Sequence, residues 1–527
     1  MFAGLFRLPS LLLQSFEASV TPSSLIRISM THRAFAFSLI AVAALAACSP
    51  DFVSPRVLPS SPSLAVNASG SSGSYLVALN GKGPRNFAEL VTSLGGTVTL
   101  SHPGAGIALV SGLTDAAAAT LAASSGIADV QRDVEVRVDS PVRSALPDAV
   151  DVGSLSAGDA SGASVANPAG AFYYVFQWNL KAVGADEAWK AGKLGSSSVT
   201  VAILDSGIDY DGYDMAGQVD LARSKSFVAS DDAIAAAYFP TRNAISDFNG
   251  HGTNVATQVS SRAAAFAGVT SRTRLMGVKV IGWSGAGTMG SVLNGLLYAA
   301  DAGANIANMS LGGAFDKPGL GRLTSIVNRV FNYANRKGML IVVAAGNARP
   351  PDFIPVDLAH SGNEFNTYCD APHVICVAAT GPITNGGDVN VPAWYSYYGN
   401  DVITVAAPGG NQDIVNPDGA LPFPWGDKTS WIFSLCSKTL IVELTAETGV
   451  PIQHESCQTG LQPIGGIGTS QAAPHVAGLA ALLMAEYGTG HPSQIKDRIE
   501  ATVTPLSPVY NGAYGLGEIN VRTALGL

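Results

Sequence analysis

Charged residues are scarce in this sequence. Asp, Glu, Lys and Arg make up 13% of its 527 residues, against about 25% in an average soluble domain. The formal net charge is −9, so no broad basic field attracts a phosphate backbone, and nucleic-acid binding is not expected. Beyond the N-terminal region, no stretch reaches the roughly 18 uninterrupted apolar residues of a transmembrane helix. Apolar side chains are abundant, at 47%, and indicate a well-packed globular protein, whose length leaves room for roughly two to four domains.

A short apolar run near the N-terminus predicts an export signal. It extends from Ala34 to Ala47 and follows Arg33, with Met30 as the expected start. This length suits a signal peptide better than a membrane span. The run ends in Leu-Ala-Ala-Cys at Cys48 and resembles the lipobox of bacterial lipoproteins, in which the cysteine is lipidated; an ordinary cleavage site is the alternative. We therefore assign residues 1–48 to a signal region and expect an exported protein, attached to a membrane only through this lipid.

Only five cysteines are present, and one of them is Cys48. Export to an oxidising compartment would allow the remaining four to form disulfides, for which three pairings can be drawn. We favour the local pairs, Cys369 with Cys376 and Cys436 with Cys457. A zinc site is the alternative, but no C-x-x-C motif or nearby histidine pair supports it.

Two segments poor in aromatic residues separate the signal region from the rest of the chain. Residues 49–73 are rich in Ser, Pro and Gly and predict a flexible tether, and residues 139–171 predict a linker. Between them, residues 74–138 alternate in the order β-α-β-β-α-β, with a single last strand over 127–138. This order is the ferredoxin-like pattern, which by itself hosts many functions.

From residue 172 to residue 527, short apolar runs alternate with helical patterns. Runs that are apolar on both faces predict strands of a parallel sheet covered by helices, hence a three-layer α/β domain. Polar residues at the carboxyl ends of such strands are the candidates for a functional site. The expected strands cover 198–207, 274–282, 304–313, 338–347, 373–380 and 401–409.

Three polar residues in this part form a combination with known chemistry. Asp205 ends the first strand, His251 opens a helix, and Ser470 begins a long helix that is apolar nearly all round. Acyl transfer by a serine needs a histidine to accept and return the proton, and a carboxylate to orient the imidazole. A serine at this position can also be only a helix cap.

The motifs VAILDSGID, NGHGTNVA and GTSQAAPHVAG resemble those of subtilisin-type serine peptidases, and the resemblance covers roughly residues 172–527. It implies an endopeptidase that cleaves proteins or peptides through an acyl-enzyme intermediate, and a monomer that needs no cofactor for catalysis. It also implies an oxyanion hole formed by Asn347 and the backbone N–H of Ser470. The Asp-rich turn after Asp205 is compatible with a structural calcium ion, although a solvated acidic turn is the more common meaning of such a pattern.

The same resemblance implies two edges between which an extended substrate lies, and a pocket of small uncharged residues. Alternatively, these segments are only a loop and two strand ends. The candidate residues are Ser284, Gly285, Gly287, Ser310, Leu311, Gly312, Ala345 and Gly346.

The sequence departs from the family pattern at three positions and carries one insert. Asn254 stands where the family often has His, Thr257 where Gly is common, and Gln471 where Met is common. The connection over 411–467 is longer than usual, and it either shapes substrate choice or braces the loop. None of these differences removes a proton-transfer group.

Two other histidines could in principle act as a base. His475 lies five residues past Ser470 on another face of its helix and is expected to be structural. His454, in the insert, is the only rival base.

With a peptidase downstream, residues 74–138 resemble the inhibitory propeptide of subtilisin-type enzymes; an unrelated small domain is the alternative. The chain is therefore expected to be a zymogen, with residues 139–171 as its processing region and a cut between about residues 138 and 172. Two other functional classes remain open at this point. A non-catalytic binder on the same fold would not need the triad, and an esterase would be expected to carry a G-x-S-x-G elbow, which the serine motif lacks.

Overall fold

The structure is a computed structural model. It describes residues 73–138, 142–145, 156, 158, 164–312, 314–348, 354–360, 364–366, 368–383, 386–412, 430–446 and 448–527. The predicted signal region with Cys48, the tether and most of the 139–171 linker lie outside these residues.

The helices are α1 (Phe87–Ser93), α2 (Asp115–Ala122), α3 (Trp178–Ala182), α4 (Ala185–Lys190), α5 (Ala229–Tyr238), α6 (His251–Val259), α7 (Met289–Asp301), α8 (Lys317–Arg336), α9 (Thr469–Tyr487), α10 (Pro492–Ala501) and α11 (Val521–Leu525). Among the described residues, no helix is both long and apolar enough to cross a membrane.

The strands are β1 (Gly73–Leu79), β2 (Thr97–His102), β3 (Ile107–Leu113), β4 (Ile127–Arg132), β5 (Glu135–Arg137), β6 (Val142–Ala145), β7 (Thr200–Asp205), β8 (Lys225–Ser226), β9 (Arg274–Lys279), β10 (Ala286–Thr288), β11 (Ile306–Met309), β12 (Ala314–Asp316), β13 (Leu340–Ala344), β14 (Glu364–Asn366), β15 (Val374–Thr380), β16 (Val405–Pro408), β17 (Ile432–Leu435), β18 (Ile441–Leu444), β19 (Pro451–Gln453) and β20 (Pro463–Ile467).

The N-terminal part is a four-stranded antiparallel sheet with two helices. Its strand order is β2-β3-β1-β4, the order that a ferredoxin-like β-α-β-β-α-β chain produces. Thr114 caps α2, because its hydroxyl accepts a hydrogen bond from the N–H of Ala117. Buried side chains of both helices, such as Val91 and Leu121, pack on the sheet in a core of their own.

The predicted single strand over 127–138 is wrong, because the chain leaves the sheet after β4. The N–H of Asp133 still bonds to Ser74, but its carboxylate accepts from the N–H of Gly290 at 2.9 Å. Val134 accepts from the N–H of Met289. These bonds to the first turn of α7 direct the chain away from the N-terminal sheet, because the unpaired N–H groups at a helix N-terminus attract carboxylates and carbonyls. The remaining residues form β5, which pairs with β10 and not with the first sheet.

The large domain is organised around a seven-stranded parallel sheet in the order β16-β15-β13-β11-β7-β9-β8. Six of these strands match the predicted runs, each shortened at one or both ends. Alternate residues of β7 serve different cores: Val201 and Ile203 pack with α6 and α9, whereas Ala202 and Leu204 pack with α7 and α8. Helices thus cover both faces, which confirms the predicted three-layer α/β fold and aligns the carboxyl ends of the strands along one edge.

Both predicted disulfides are present. Cys376, which lies in β15, is bonded to Cys369, which precedes that strand. In the insert, Cys436 is bonded to Cys457. The second bond joins the end of β17 to the segment before β20. In the described part of the insert, β17 pairs antiparallel with β20, and the other edge of β20 pairs with β6.

Candidate active site

Asp205 and His251 meet at the carboxyl edge of the parallel sheet. Asp205 is the last residue of β7, and His251 is the first residue of α6. The imidazole Nδ1 lies 2.8 Å from Asp205 Oδ1, and both side chains are fully buried. The same carboxylate oxygen accepts the N–H of Ser206 at 2.7 Å. Because the carboxylate accepts from Nδ1–H, the other ring nitrogen, Nε2, is left as the proton acceptor.

A close approach of backbones makes this contact feasible. A Cβ on Gly252 would stand 2.1 Å from the carbonyl oxygen of Gly207 and 3.2 Å from Cβ of Asp205. Only glycine permits α6 to approach the end of β7 so closely. Steric contact therefore explains why a glycine follows the histidine in this sequence.

Asp247 is a site residue that sequence reasoning missed. Its buried carboxylate accepts from the N–H groups of Gly250 at 2.7 Å and Thr253 at 2.8 Å, and from the hydroxyl of Ser206 at 2.9 Å. It thus anchors both the first turn of α6, which carries His251, and the residue after Asp205. An acidic residue just before a predicted helix start was the available signal.

Ser470 is the second residue of α9, which begins after Gly468, so the serine itself is not the N-cap. A proline four residues later, Pro474, has no N–H, and the carbonyl of Ser470 therefore has no helical partner. The hydroxyl of Ser310 takes this place and donates to that carbonyl at 2.8 Å. The proline thus ties the first turn of α9 to the end of β11.

The hydroxyl of Ser470 donates to the carbonyl of Ser310 at 3.0 Å. Nε2 of His251 is buried and has no hydrogen-bond partner. The histidine and serine are consequently not joined in this form of the chain, as is common before a substrate is in place.

Asn347 follows β13 and is bonded to the residue before Ser470. Its Oδ1 accepts the N–H of Thr469 at 2.8 Å and the hydroxyl of Thr469 at 3.1 Å. A backbone N–H can only donate, so this contact identifies the oxygen and directs the NH₂ group to the other side of the amide. The asparagine thereby presents a donor end from a fixed position beside the helix N-terminus that carries Ser470.

The predicted substrate edge is already paired with a strand of the same chain. Gly287 of β10 is opposite Val136 of β5, and the N–H of Val138 donates to Gly285 at 3.0 Å. The neighbouring Ser284 is exposed. The geometry demonstrates that this edge can accept an added strand.

A buried ion pair supports the start of this edge. Lys279 Nζ lies 2.8 Å from Asp231 Oδ2, and both side chains are fully buried. The same carboxylate oxygen accepts the N–H of Trp283 at 3.0 Å. Removing either charge would leave the other buried and unpaired, which is strongly destabilising.

The residues predicted for the pocket lie at the ends of adjacent strands. Ser310, Leu311 and Gly312 follow β11, while Ala345 and Gly346 follow β13; all five are buried. The two strands are direct neighbours in the sheet. The structure therefore brings both segments together beside Ser470.

His475 has a structural environment, as expected. Its Nδ1 lies 2.8 Å from the carbonyl oxygen of Gln471, and its Nε2 lies 2.8 Å from Nδ2 of Asn179. Complete burial lowers the pKa of His475 to about 4, so the ring is neutral at ordinary pH. The rival His454 is exposed in front of a short 3-10 helix, and no described contact joins it to Ser470.

The carboxylates of the acidic turn after Asp205 have partners within the protein. Asp209 lies 2.6 Å and Asp211 2.9 Å from Arg242. Asp214 accepts N–H groups of the segment that begins at Ala264. No group of at least three His, Cys, Asp or Glu side chains arranged for a metal ion occurs among the described residues. The turn is thus held by guanidinium and backbone groups.

Two departures from the family pattern are in contact with each other. Nε2 of Gln471 donates to Oδ1 of Asn254 at 3.3 Å, and Nδ2 of Asn254 donates to Oγ of Ser434 at 3.0 Å. Thr257, the third departure, donates its hydroxyl to the carbonyl of Thr253 within α6. The first two therefore act as a pair between α6 and α9, which their positions in the sequence did not indicate.

A buried acid–imidazole pair near a serine at a helix N-terminus is an arrangement typical of serine peptidases. Comparison with known proteins specifies the family. The profile of the Subtilase family matches residues 196–517, more than half of the chain. The chain belongs to the Subtilase family and is a subtilisin-like serine protease.

Individual relatives agree with this assignment. The chain is 29% identical over 353 residues to thermitase of Thermoactinomyces vulgaris, covering 66% of this chain and 95% of thermitase. It is 30% identical over 362 residues to the thermophilic serine proteinase of Bacillus sp. (strain AK1), covering 68% and 69% of the two chains.

Solved structures share the fold at lower identity. The epidermin leader peptide processing serine protease of Staphylococcus aureus superposes with a TM-score of 0.63 at 20% identity, covering 87% of this chain and 99% of that one. Fervidolysin of Fervidobacterium pennivorans superposes with a TM-score of 0.60 at 22% identity, covering 86% of this chain and 61% of that one.

Proposed function

We propose that Ser470 is the nucleophile of this protease, with His251 as general base and Asp205 as the group that orients the imidazole. The observation that carries the assignment is the 2.8 Å contact of two fully buried side chains, Asp205 and His251, which leaves Nε2 without a partner. The proton of the serine passes to Nε2 during attack and returns to the leaving amine, while the carboxylate supports the imidazolium.

Asn347 and the backbone N–H of Ser470 stabilise the oxyanion in this proposal. The anchored oxygen of Asn347 directs its NH₂ group away from Thr469, and the first N–H groups of α9 are not used within the helix. Donors held in place before the reaction need no reorganisation when the negative charge develops. Ser284, Gly285 and Gly287 form one substrate edge, and Ser310, Leu311, Gly312, Ala345 and Gly346 line the pocket before the cut.

Kinetics of single and double variants test the triad. Asp205→Asn, His251→Ala and Ser470→Ala should each lower kcat on casein by roughly 10⁴-fold or more, as such changes do in subtilisin. The double variant His251→Ala/Ser470→Ala should be no worse than Ser470→Ala alone, because the residues act as a unit. Multiplying losses, or a single variant that retains a tenth of the activity, would contradict the assignment.

Residues 74–138 act as an inhibitory propeptide in our proposal. This domain touches α7 and α8: Arg329 donates to the carbonyl of Leu79 at 2.7 Å, and His102 lies 3.1 Å from Asp301. Its last strand, β5, occupies the β10 edge. A domain docked in this way excludes substrates from the edge that they need.

The first cut should fall within residues 138–142. On one side of this segment, Val138 is bonded to Gly285 of the β10 edge; on the other side, β6 begins at Val142, which pairs with Ile467 at the end of β20. Residues 139–141 themselves lie outside the described residues. Chain bound on both sides of Ser470 supports self-cleavage between these two strands.

N-terminal sequencing tests the cut site. Purified wild-type enzyme should begin at a residue between 139 and 142, whereas Ser470→Ala should accumulate as uncleaved precursor. A wild-type enzyme whose first detected N-terminus lies well beyond Ala145, with no earlier intermediate, would contradict the proposed site.

We also propose that the precursor is an exported lipoprotein and that maturation frees the protease. Two disulfides are compatible with an oxidising compartment, and Cys48 would carry the lipid. A cut within 138–142 would sever the large domain from that anchor. Membrane fractionation should find the large domain released in the wild type and retained in Ser470→Ala. Equal retention in both would exclude release by self-cleavage.

A further inference from the structure

A segment of the insert is hydrogen-bonded to the loop that precedes α6. The hydroxyls of Ser437 and Thr439 both donate to the backbone carbonyl of Asp247, at 2.6 and 3.0 Å. All three residues are buried, and a carbonyl oxygen can accept two such bonds. Residues 437–441, here called the brace, therefore hold this carbonyl four residues before His251.

The brace continues along the same loop. The N–H of Ile441 donates to the carbonyl of Phe248 at 2.8 Å, and the side chains of these two residues pack in a small buried core with Ala235. Leu440 lies beside Gly250, where an added Cβ would stand 3.4 Å from Cδ1 of the leucine. The contacts thus extend to the residue immediately before α6.

Asp247 connects the brace to the acid–imidazole pair. Its carbonyl accepts from the brace, while its carboxylate accepts the N–H of Gly250 and the hydroxyl of Ser206. Gly250 precedes His251, and Ser206 follows Asp205. Because one buried residue is bonded at both ends, a shift of its backbone would move its carboxylate and, with it, the first turn of α6.

The brace itself is anchored on two sides. Cys436, directly before it, is bonded to Cys457, and a disulfide restricts the chain that it closes. The N–H of Lys438 donates to Oδ2 of Asp209 at 3.0 Å, and its Nζ lies 3.1 Å from Oδ1 of Asp211. The brace therefore joins the acidic turn to the loop before α6.

We propose that Ser437 and Thr439 are positioning residues, whose hydroxyls fix the loop before α6 and thereby hold His251 where it accepts the proton of Ser470. The inference rests on the proposed function of these last two residues, and it gives the insert a role in catalysis and not in substrate choice. Loss of both donors leaves a buried carbonyl unsatisfied, which favours movement of the loop. Displacement of a catalytic group by about 1 Å can lower a rate roughly 10²-fold.

Kinetics of Ser437→Ala/Thr439→Val test the proposal. This variant loses both donors and leaves the substrate edges untouched. Its kcat on a chromogenic peptide, per active site titrated to completion with a fluorophosphonate, should be about tenfold lower or less, with KM within about twofold of the parent. Thr439→Ser keeps a hydroxyl and should retain kcat within about threefold. A parent-like kcat in the double variant, or a loss confined to KM, would overturn the proposal.

The matched control is Thr445→Val, which removes another hydroxyl of the insert. Thr445 lies 2.6 Å from the hydroxyl of Thr448, in the turn between β18 and β19, and no described contact joins it to the loop before α6. Thr445→Val should have the kcat and KM of the parent. A loss of kcat as large as that of Ser437→Ala/Thr439→Val would overturn the proposal, because any weakening of the insert would then have the same effect.

The single variants keep the test decisive if the double variant does not fold. Ser437→Ala and Thr439→Val each leave one donor in place, and each should lower kcat about threefold without changing KM. Parent-like kcat in both would overturn the proposal.

Proton NMR of the uncleaved Ser470→Ala precursor reports the position of His251 without turnover. The Nδ1 proton that faces Asp205 is assigned by its absence in His251→Ala. Its signal should shift or broaden when Ser437→Ala/Thr439→Val is added, and it should remain unchanged with Thr445→Val. An unchanged signal in the double variant would overturn the positioning role and leave the protease function intact, whereas parent-like activity of His251→Ala would overturn the proposed function itself.

Discussion

Glu518 provides the most quantitative test of how the large domain is held together. This fully buried carboxyl lies between Thr380, whose hydroxyl donates to Oε2 at 2.5 Å, and a backbone bridge to Thr504. Its other oxygen, Oε1, has no partner. Burial raises the pKa of Glu518 from 4.5 to about 8. The group is therefore neutral in the folded protein over most of the ordinary pH range.

The raised pKa has a definite sign for stability. Between pH 4.5 and 8, the unfolded chain releases the proton of Glu518 and the folded chain keeps it. The unfolded state then binds fewer protons, so the free energy of unfolding falls as pH rises through this window. The full difference of pKa corresponds to an upper limit of roughly 5 kcal/mol. Glu518→Gln removes the titration while keeping the shape of the side chain.

Denaturant unfolding in the Ser470→Ala background, which avoids self-digestion, measures this effect. Between pH 5 and pH 8, the free energy of unfolding should fall by about 2–3.5 kcal/mol more in this parent than in the same protein carrying Glu518→Gln. The exposed Glu455 supplies the control: Glu455→Gln should have the pH dependence of the parent. Parallel pH profiles for Glu518→Gln and its parent would refute the reasoning.

Three further predictions concern single contacts. Asn347→Leu should lower kcat by about 10²–10³-fold with little change in KM, the range known for this donor in subtilisin; a loss confined to KM would exclude the oxyanion role. Cys436→Ser/Cys457→Ser should destabilise the insert by about 3 kcal/mol, seen as faster cleavage of the insert by trypsin, and unchanged cleavage would contradict a bracing role. Burial lowers the pKa of His475 to about 4, so the free energy of unfolding should fall as the pH drops from 6.5 towards 4. His475→Gln should reduce this fall in a plot of unfolding free energy against pH, and an unchanged fall would contradict the reasoning.

The sequence predicted the elements whose patterns are local. Strands that are apolar on both faces, such as the one that ends at Asp205, predict a parallel sheet from their composition alone. The capping role of Thr114 also follows from neighbours within a few residues. These features need no knowledge of how distant segments meet.

The features that sequence reasoning missed depend on contacts between distant segments. The strand predicted over 127–138 breaks because α7, far along the chain, offers its N-terminal N–H groups to Asp133. Asn254 and Gln471 lie more than 200 residues apart in the sequence, and only the packing of α6 on α9 brings them into contact. The sheet of β17, β20 and β6 likewise unites the insert with a segment some 320 residues earlier.

Covalent labelling tests the central claim most directly. The mature enzyme is treated with a fluorophosphonate probe, the modified residue is mapped by mass spectrometry, and casein digestion is followed in parallel. The account predicts one labelled residue, Ser470, with digestion lost in proportion to labelling, and much slower labelling of His251→Ala. A label on another serine, or full labelling of Ser470 without loss of digestion, would contradict it.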